Sequence, residues 1–87
     1  MKTFDELFVH LQQRAQSGDE NSATVVALNA GVHTIGKKVV EEAAEAWMAA
    51  EHESKERTTA EIAQLLYWTQ VLMLAKGISM SDVCEEL

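Results

Sequence analysis

The chain has 87 residues, of which 47% are hydrophobic, and its fourteen acidic and seven basic side chains give a net charge of −7. This length fits a single domain, residues 1–87, with a modest core, and the negative charge argues against bare nucleic acid and anionic membranes as partners. Cys84 is the only cysteine, so no disulfide within the chain can stabilise it. We therefore expect subunits to pack against one another.

The N-terminus alternates charged and apolar residues from Lys2 onward, which is not the pattern of a signal peptide. Gln64, Thr69 and Gln70 interrupt the most hydrophobic segment, so no apolar run approaches the ~20 residues of a membrane span. We expect a soluble, cytoplasmic protein without a membrane partner.

The chain contains helix signals throughout and no convincing strand pair. Thr3-Phe4-Asp5-Glu6 and Thr58-Thr59-Ala60-Glu61 have the spacing of capping boxes, while Ala30-Gly31 and Gly77 are typical helix ends. The predicted helices, in chain order, are 4–17, 25–29, 32–53, 58–76 and a last short helix that is capped by Ser79-Met80-Ser81-Asp82 and runs through Val83 to Leu87. A loop is predicted at 18–22 and a charged connector at 54–59. The sequence therefore predicts an all-α fold.

The central helix, from Val32 to about Glu53, has two stripes at helical spacing. The predicted packing face consists of Val32, Ile35, Gly36, Val39, Ala43, Ala46, Trp47 and Ala50. A second stripe, Lys38, Glu42, Glu45 and Ala49, runs along its flank. Acids beside a packing face can point into a partly dry cleft, where a divalent metal site would be built.

The next helix is apolar nearly all round. We predict a packing stripe of Ile62, Leu65, Leu66, Thr69, Leu72 and Met73, with Tyr67, Trp68, Val71 and Leu74 outside it. Such a helix is either buried on most sides or shared with a second subunit.

Glu42 and Glu45 are i, i+3 neighbours whose carboxylates can meet on the helix surface. Mg²⁺ prefers octahedral oxygen coordination, so further ligands must come from elsewhere, and Glu61 with Gln64 on the next helix can supply them. The alternative is an ordinary solvated surface. Glu61 would then serve only as the capping-box glutamate, and Lys38 and Glu42 would form an i, i+4 ion pair worth only ~0.2–0.5 kcal/mol.

Other chemistries have no support in the sequence. The histidines, of which His52 could approach the acidic stripe, form no Glu-x-x-His pair, which disfavours a di-iron or di-manganese bundle. Phosphate loops of the Walker type and nucleophile motifs are absent. The basic residues that could contact phosphate are Arg14, Lys37, Lys38, Lys55 and Arg57.

Two stretches strongly resemble the phosphoribosyl-ATP pyrophosphohydrolase family, which is related to the MazG-like all-α nucleotide pyrophosphohydrolases. They are Lys-Lys-Val-Val-Glu-Glu-Ala-Ala-Glu at 37–45 and Glu-Ile-Ala-Gln-Leu-Leu-Tyr-Trp at 61–68, and the resemblance covers essentially the whole chain. It implies a bundle of two long antiparallel helices plus shorter ones, completed as a homodimer. The implied reaction is Mg²⁺-dependent hydrolysis of phosphoribosyl-ATP to phosphoribosyl-AMP and pyrophosphate, the second step of histidine biosynthesis.

The family pairs an ExxE motif on one helix with an ExxD motif on the next. By similarity, Glu42 and Glu45 match the first pair and Glu61 begins the second, while Gln64 replaces the expected Asp. The resemblance implies Mg²⁺ ligands at Glu42, Glu45, Glu61 and Gln64. It further implies water activation by Glu41 or Glu45, charge compensation by Lys38, and phosphate contacts from Lys37, Lys38 and Arg57.

Two alternatives remain open. A MazG-like house-cleaning enzyme would cleave canonical or damaged nucleoside triphosphates instead of phosphoribosyl-ATP. A non-catalytic helical interaction module would use its acids only to keep its surface soluble.

Overall fold

The computed structural model describes residues Met1–Leu87, which form five α-helices and no strand. The helices are α1 (Phe4–Ser17), α2 (Ala23–Ala30), α3 (Val32–His52), α4 (Lys55–Lys76) and α5 (Met80–Glu85). None of them combines the length and apolar character that crossing a membrane requires. The all-α prediction is confirmed.

Side-chain caps fix most helix starts. At α1 the predicted capping box is present: Thr3 Oγ1 accepts from the Glu6 amide at 3.1 Å, and Glu6 Oε1 accepts from the Thr3 amide at 2.9 Å. Ser22 caps α2. Ser79 caps α5, which begins at Met80 and ends at Glu85, so the prediction that it runs through Val83 to Leu87 is wrong at its end.

The junction between α2 and α3 is one residue long. Gly31 has φ +98° and ψ 172°, which only glycine adopts without strain, and its carbonyl accepts the first hydrogen bond of α3, from Ile35. The chain thereby turns from α2 directly into the central helix.

The predicted start of α4 is wrong by about one turn. Ser54, rather than Thr58, caps the helix, accepting from the Arg57 amide at 3.1 Å. Thr58 and Thr59 lie inside it, and their hydroxyls donate to the carbonyls of Ser54 and Lys55. This i−4 bonding is what helical threonines do, and it removes the reason to read Thr58 as a cap.

Only Glu53 and Ser54 connect α3 and α4, and the two helices form the most extensive contact in the molecule, a helix hairpin. At one level of the hairpin Ile35 meets Val71, and Leu11 of α1 and Ala27 of α2 close the same buried cluster. Partly buried side chains surround it: Leu7, Leu28, Tyr67, Trp68, Leu72, Leu74 and Ala75. The hairpin is thus covered on one side by α1 and α2.

The face of α3 that packs against α4 differs from the predicted packing face. Ile35 and Ala49 are fully buried, seven residues to either side of Glu42. Val32 and Trp47, assigned to the packing face, are exposed, as are Ala43 and Ala50. Because α3 is rich in alanine and valine on several sides, apolar periodicity could not distinguish the face toward α4 from the opposite one.

The stripe predicted on α4 is also wrong in part. Ile62 and Leu66 are exposed, and the buried residues are Gln70, Val71 and Met73. Gln70 is fully buried because its amide donates to the Phe4 carbonyl at 2.8 Å, tying α4 to the start of α1. A glutamine in that environment cannot be recognised from hydrophobic periodicity.

Candidate metal site

The helix hairpin brings three glutamates together between its closed end and the level of Ile35 and Val71. Glu42 and Glu45 come from α3 and Glu61 from α4, and each offers a carboxylate oxygen within 4.8 Å of the others. We call these residues the three-glutamate cluster. The structure therefore places these sequence-predicted candidates at one point, which helix spacing alone could not decide.

Glu42 lies deepest in the cluster. It follows Ile35 by seven residues and precedes Ala49 by seven, so it faces α4 as they do. Its Oε2 atom is buried and has no hydrogen-bond partner. A buried carboxylate oxygen without a donor is costly, and either a proton or a bound cation would remove that cost.

The electrostatics of the cluster point the same way. Burial, together with the neighbouring carboxylates of Glu45 and Glu61, raises the pKa of Glu42 from 4.5 to about 7. Like charges held this close disfavour full ionisation unless a cation or a proton is added. Three carboxylates thus lie close together, and Glu42 has no cationic partner of its own.

The donor set suits a hard divalent cation. All three side chains offer carboxylate oxygens, with no thiolate or imidazole among them, and oxygen ligands select Mg²⁺, Ca²⁺ or Mn²⁺ over softer metals. His52, the histidine closest in sequence to the acidic stripe, is exposed beside Glu51, 3.9 Å away.

The alternative in which Glu61 serves only as a capping-box glutamate on a solvated surface is wrong. Because α4 begins at Lys55, Glu61 is its seventh residue rather than part of a cap. Its side chain is only 13% exposed, which a solubilising surface acid would not be.

Gln64 lies one turn after Glu61 on α4, with an exposed side chain. Its amide can offer a neutral oxygen to a cation but adds no negative charge. Glu41, next to Glu42 in the sequence, is also exposed, and its Oε2 lies 3.4 Å from Lys38 Nζ. Lys38 thus pairs with Glu41 and not, as the i, i+4 alternative supposed, with Glu42.

Lys38 has a second neighbour that the sequence did not indicate. Its Nζ lies 5.9 Å from the ring centroid of Trp68 on α4, within range of a cation–π interaction, and Tyr67 packs edge-on against the same ring. Lys37, in contrast, lines an open surface groove with His33 and Val40. The two lysines therefore lie in different surroundings.

Arg57 is the residue whose position the sequence analysis missed. Its Nη2 lies 2.7 Å from Glu61 Oε1, a direct ion pair with the three-glutamate cluster. The spacing is i, i+4, which a helix start at Ser54 would have revealed. Because Arg57 was predicted to lie in a connector, this ion pair with Glu61 was not predicted.

Comparison with known protein families agrees with this arrangement. Residues 2–87 match the family described as phosphoribosyl-ATP pyrophosphohydrolase. The match spans both helices that carry the three-glutamate cluster. The chain belongs to the phosphoribosyl-ATP pyrophosphohydrolase family, a family of histidine-biosynthesis hydrolases that cleave a phosphoanhydride bond.

Proposed function

We propose that the three-glutamate cluster is the catalytic centre at which this chain hydrolyses phosphoribosyl-ATP to phosphoribosyl-AMP and pyrophosphate, with Mg²⁺ as cofactor. The observation that carries the proposal is the buried, unpartnered Oε2 of Glu42 beside two further carboxylates. An acidic site can accept a polyphosphate only if a cation lies between the two, since carboxylates and phosphates repel each other.

Glu42, Glu45 and Glu61 would hold the metal, and Gln64 would offer its carbonyl oxygen. When bound, Mg²⁺ would supply the positive charge that neutralises the phosphate chain and the leaving pyrophosphate. The neutral amide contributes one negative charge less than the Asp of the family pattern would. Gln64 then reduces the charge of the protein's own ligand set.

A carboxylate at the edge of the cluster would orient and deprotonate the attacking water. Glu45 suits this role because it belongs to the cluster yet is exposed, so water reaches it. Glu41 is the other candidate, but its carboxylate is engaged by Lys38.

Lys38 would offset the negative charge that develops on the phosphate as the bond breaks. It precedes Glu42 by one helical turn, and its position near Trp68 keeps it at the junction of α3 and α4. Lys37 and Arg57 would make further phosphate contacts at the rim, Arg57 only after its guanidinium leaves Glu61.

The homodimer belongs to the same proposal. The accessible surface of one chain is 6074 Å², against about 5,100 Å² expected for a compact monomer of this mass. Large apolar side chains are exposed on α3, where Val40 is 69% and Trp47 is 68% exposed, and on α4, at Ile62 and Leu66. A second copy would cover these side chains. A cytoplasmic location fits the single exposed thiol, Cys84.

The test is release of pyrophosphate from phosphoribosyl-ATP by the wild type and by Glu42→Gln, each with and without Mg²⁺. We expect Mg²⁺-dependent turnover by the wild type and its loss in a folded variant. If phosphoribosyl-ATP survives while canonical or damaged nucleoside triphosphates are cleaved, the activity is that of a MazG-like house-cleaning enzyme. If the wild type cleaves neither, the chain acts as an interaction module.

A further inference from the structure

Arg57 provides the cation in the only ion pair that reaches the three-glutamate cluster. Its Nη2 donates to Glu61 Oε1 at 2.7 Å, and its Nε lies 3.7 Å from Glu53 Oε1, just before the start of α4. The other ion pairs of the molecule, Lys38 with Glu41 and His52 with Glu51, lie outside the cluster. One guanidinium therefore offsets part of the charge of three carboxylates.

The two contacts of Arg57 differ in their surroundings. The Glu61 side chain is 13% exposed, whereas that of Glu53 is 47% exposed. Arg57 itself is 59% exposed, so its head group can swing toward solvent without disturbing the core. The guanidinium thus has two acidic partners, the largely buried Glu61 within α4 and the more exposed Glu53 in the connection before it.

We propose that Arg57 is a resident counter-cation that competes with the divalent metal for Glu61. In the metal-free chain it holds Glu61 Oε1 and reduces the repulsion within the cluster. A divalent ion at the cluster would stand within a few ångströms of the guanidinium and repel it toward Glu53 and solvent. This inference rests on the proposed function, because it takes the cluster to be a metal site.

Two consequences follow from the competition. Arg57 lowers the affinity of the cluster for the metal, since part of the binding free energy is spent on displacing or repelling the guanidinium. The displaced guanidinium is then free at the rim of the site, where it can meet an incoming phosphate. Arg57 would thus be a positioning residue that acts through Glu61, with its effect visible in metal binding before any substrate is present.

The test is a calorimetric titration with Mg²⁺ alone, without substrate, on the wild type, Arg57→Ala, Arg57→Lys and Lys55→Ala. Lys55 is the matched control: it lies half a turn before Arg57 in the same helix, carries the same charge and makes no ion pair. A unit charge about 5 Å from a divalent ion in a high-dielectric setting corresponds to roughly a tenfold change in affinity. We expect Arg57→Ala to bind Mg²⁺ about tenfold more tightly than the wild type.

Arg57→Lys keeps the charge, so its affinity for Mg²⁺ should be close to that of the wild type. Lys55→Ala should change the affinity for Mg²⁺ by less than about threefold, because an exposed charge at greater distance is screened. Thermal unfolding without metal should show Arg57→Ala folded but less stable than Lys55→Ala. This second measurement separates competition for the metal from general damage to the fold.

Equal or weaker binding by Arg57→Ala would overturn the inference. So would equally tightened binding in Arg57→Ala and Lys55→Ala, which would reflect net charge, or tightened binding in Arg57→Lys. If the wild type binds Mg²⁺ and Glu42→Gln does not, the proposed metal site survives even when Arg57→Ala shows no change. If neither the wild type nor Arg57→Ala binds Mg²⁺, both proposals are wrong.

Discussion

Replacing Glu42 by glutamine should stabilise the metal-free chain while abolishing its response to Mg²⁺. The substitution keeps the shape of the side chain and supplies an amide that can donate to Glu45 and Glu61. It removes the charge that burial and those two carboxylates oppose, the same causes that raise the pKa of Glu42 from 4.5 to about 7. The variant therefore relieves a repulsion between carboxylates that is present in the wild type.

The size of the effect follows from that pKa. A tenfold change in proton affinity corresponds to about 1.4 kcal/mol. The free-energy cost of ionising Glu42 in the folded chain is therefore at most about 3 kcal/mol. Solvent screening at this partly exposed site reduces that cost to about 1–2 kcal/mol. In a domain of this size about 1 kcal/mol shifts the melting temperature by roughly 4–8 °C. Glu42→Gln should thus melt about 5–15 °C above the wild type at neutral or alkaline pH.

The pH dependence has a definite sign. A carboxyl with a raised pKa contributes stability that is fully present below pH 4.5 and is lost as the pH rises to about 7. The wild type should lose this stability across that window, and Glu42→Gln should lose less. Adding Mg²⁺ at about 100 times its Kd should restore about 2.7 kcal/mol to the wild type alone.

Thermal unfolding by circular dichroism, from pH 4 to pH 9 and with or without Mg²⁺, measures all three effects in the wild type, Glu42→Gln and the control Glu41→Gln. Glu41 is the exposed neighbour paired with Lys38, and its neutralisation should change stability by at most about 1 kcal/mol. A Glu42→Gln variant that melts below the wild type without metal, or that still gains stability from Mg²⁺, would refute this account of the cluster.

Three further changes test the fold and the assembly. Val40→Lys, on the exposed apolar face of α3, should reduce the mass measured by light scattering to that of one chain, and an unchanged mass would place the interface elsewhere. Gln70→Ala should lower the unfolding free energy by about 0.5–1.5 kcal/mol, since it removes the hydrogen bond that ties α4 to the start of α1; unaltered thermal unfolding would contradict that role. Ser54→Ala should cost about 1 kcal/mol through loss of the α4 cap, more than Thr58→Ala does, and the reverse order in denaturant unfolding would mean that α4 begins near Thr58.

Local patterns predicted much of the fold. Thr3 and Ser79 cap helices as expected, and Gly31 and Gly77 mark helix ends where no side chain could adopt the backbone conformation at low cost. These features depend on a few neighbouring residues. The start of α4 was misplaced because Thr58 and Glu61 have capping-box spacing, although Ser54 stood in the right place to cap the helix one turn earlier.

The faces of the helices were harder to predict, because which side of an apolar helix is covered depends on the rest of the chain. Ile35 and Trp47 satisfy the same helical period, yet one is fully buried and the other exposed. Gln70 is buried through a bond to a residue far away in the sequence. Tertiary contacts of this kind leave no periodic signal.

For the candidate site, the spacing of Glu42 and Glu45 indicated a shared helix face, but their convergence with Glu61 depended on the register of the hairpin. That register is set by the two-residue connection at Glu53 and Ser54. The sequence had instead predicted a connector of six residues, 54–59. The same error concealed the contact between Arg57 and Glu61. The catalytic, metal-binding and phosphate-binding roles of all the site residues stay predictions.

The most direct test of the three-glutamate cluster as the catalytic metal site uses two glutamates of one helix. Pyrophosphate release from phosphoribosyl-ATP is measured over a range of Mg²⁺ concentrations for Glu61→Gln and for Glu56→Gln, whose side chain is exposed in the first turn of α4. We predict that the activity of Glu61→Gln is at least roughly 10–100-fold lower than that of the wild type, which is the loss that mutations around a metal site typically cause. Glu56→Gln should be as active as the wild type. Equal activity of the two variants would contradict the assignment of the cluster.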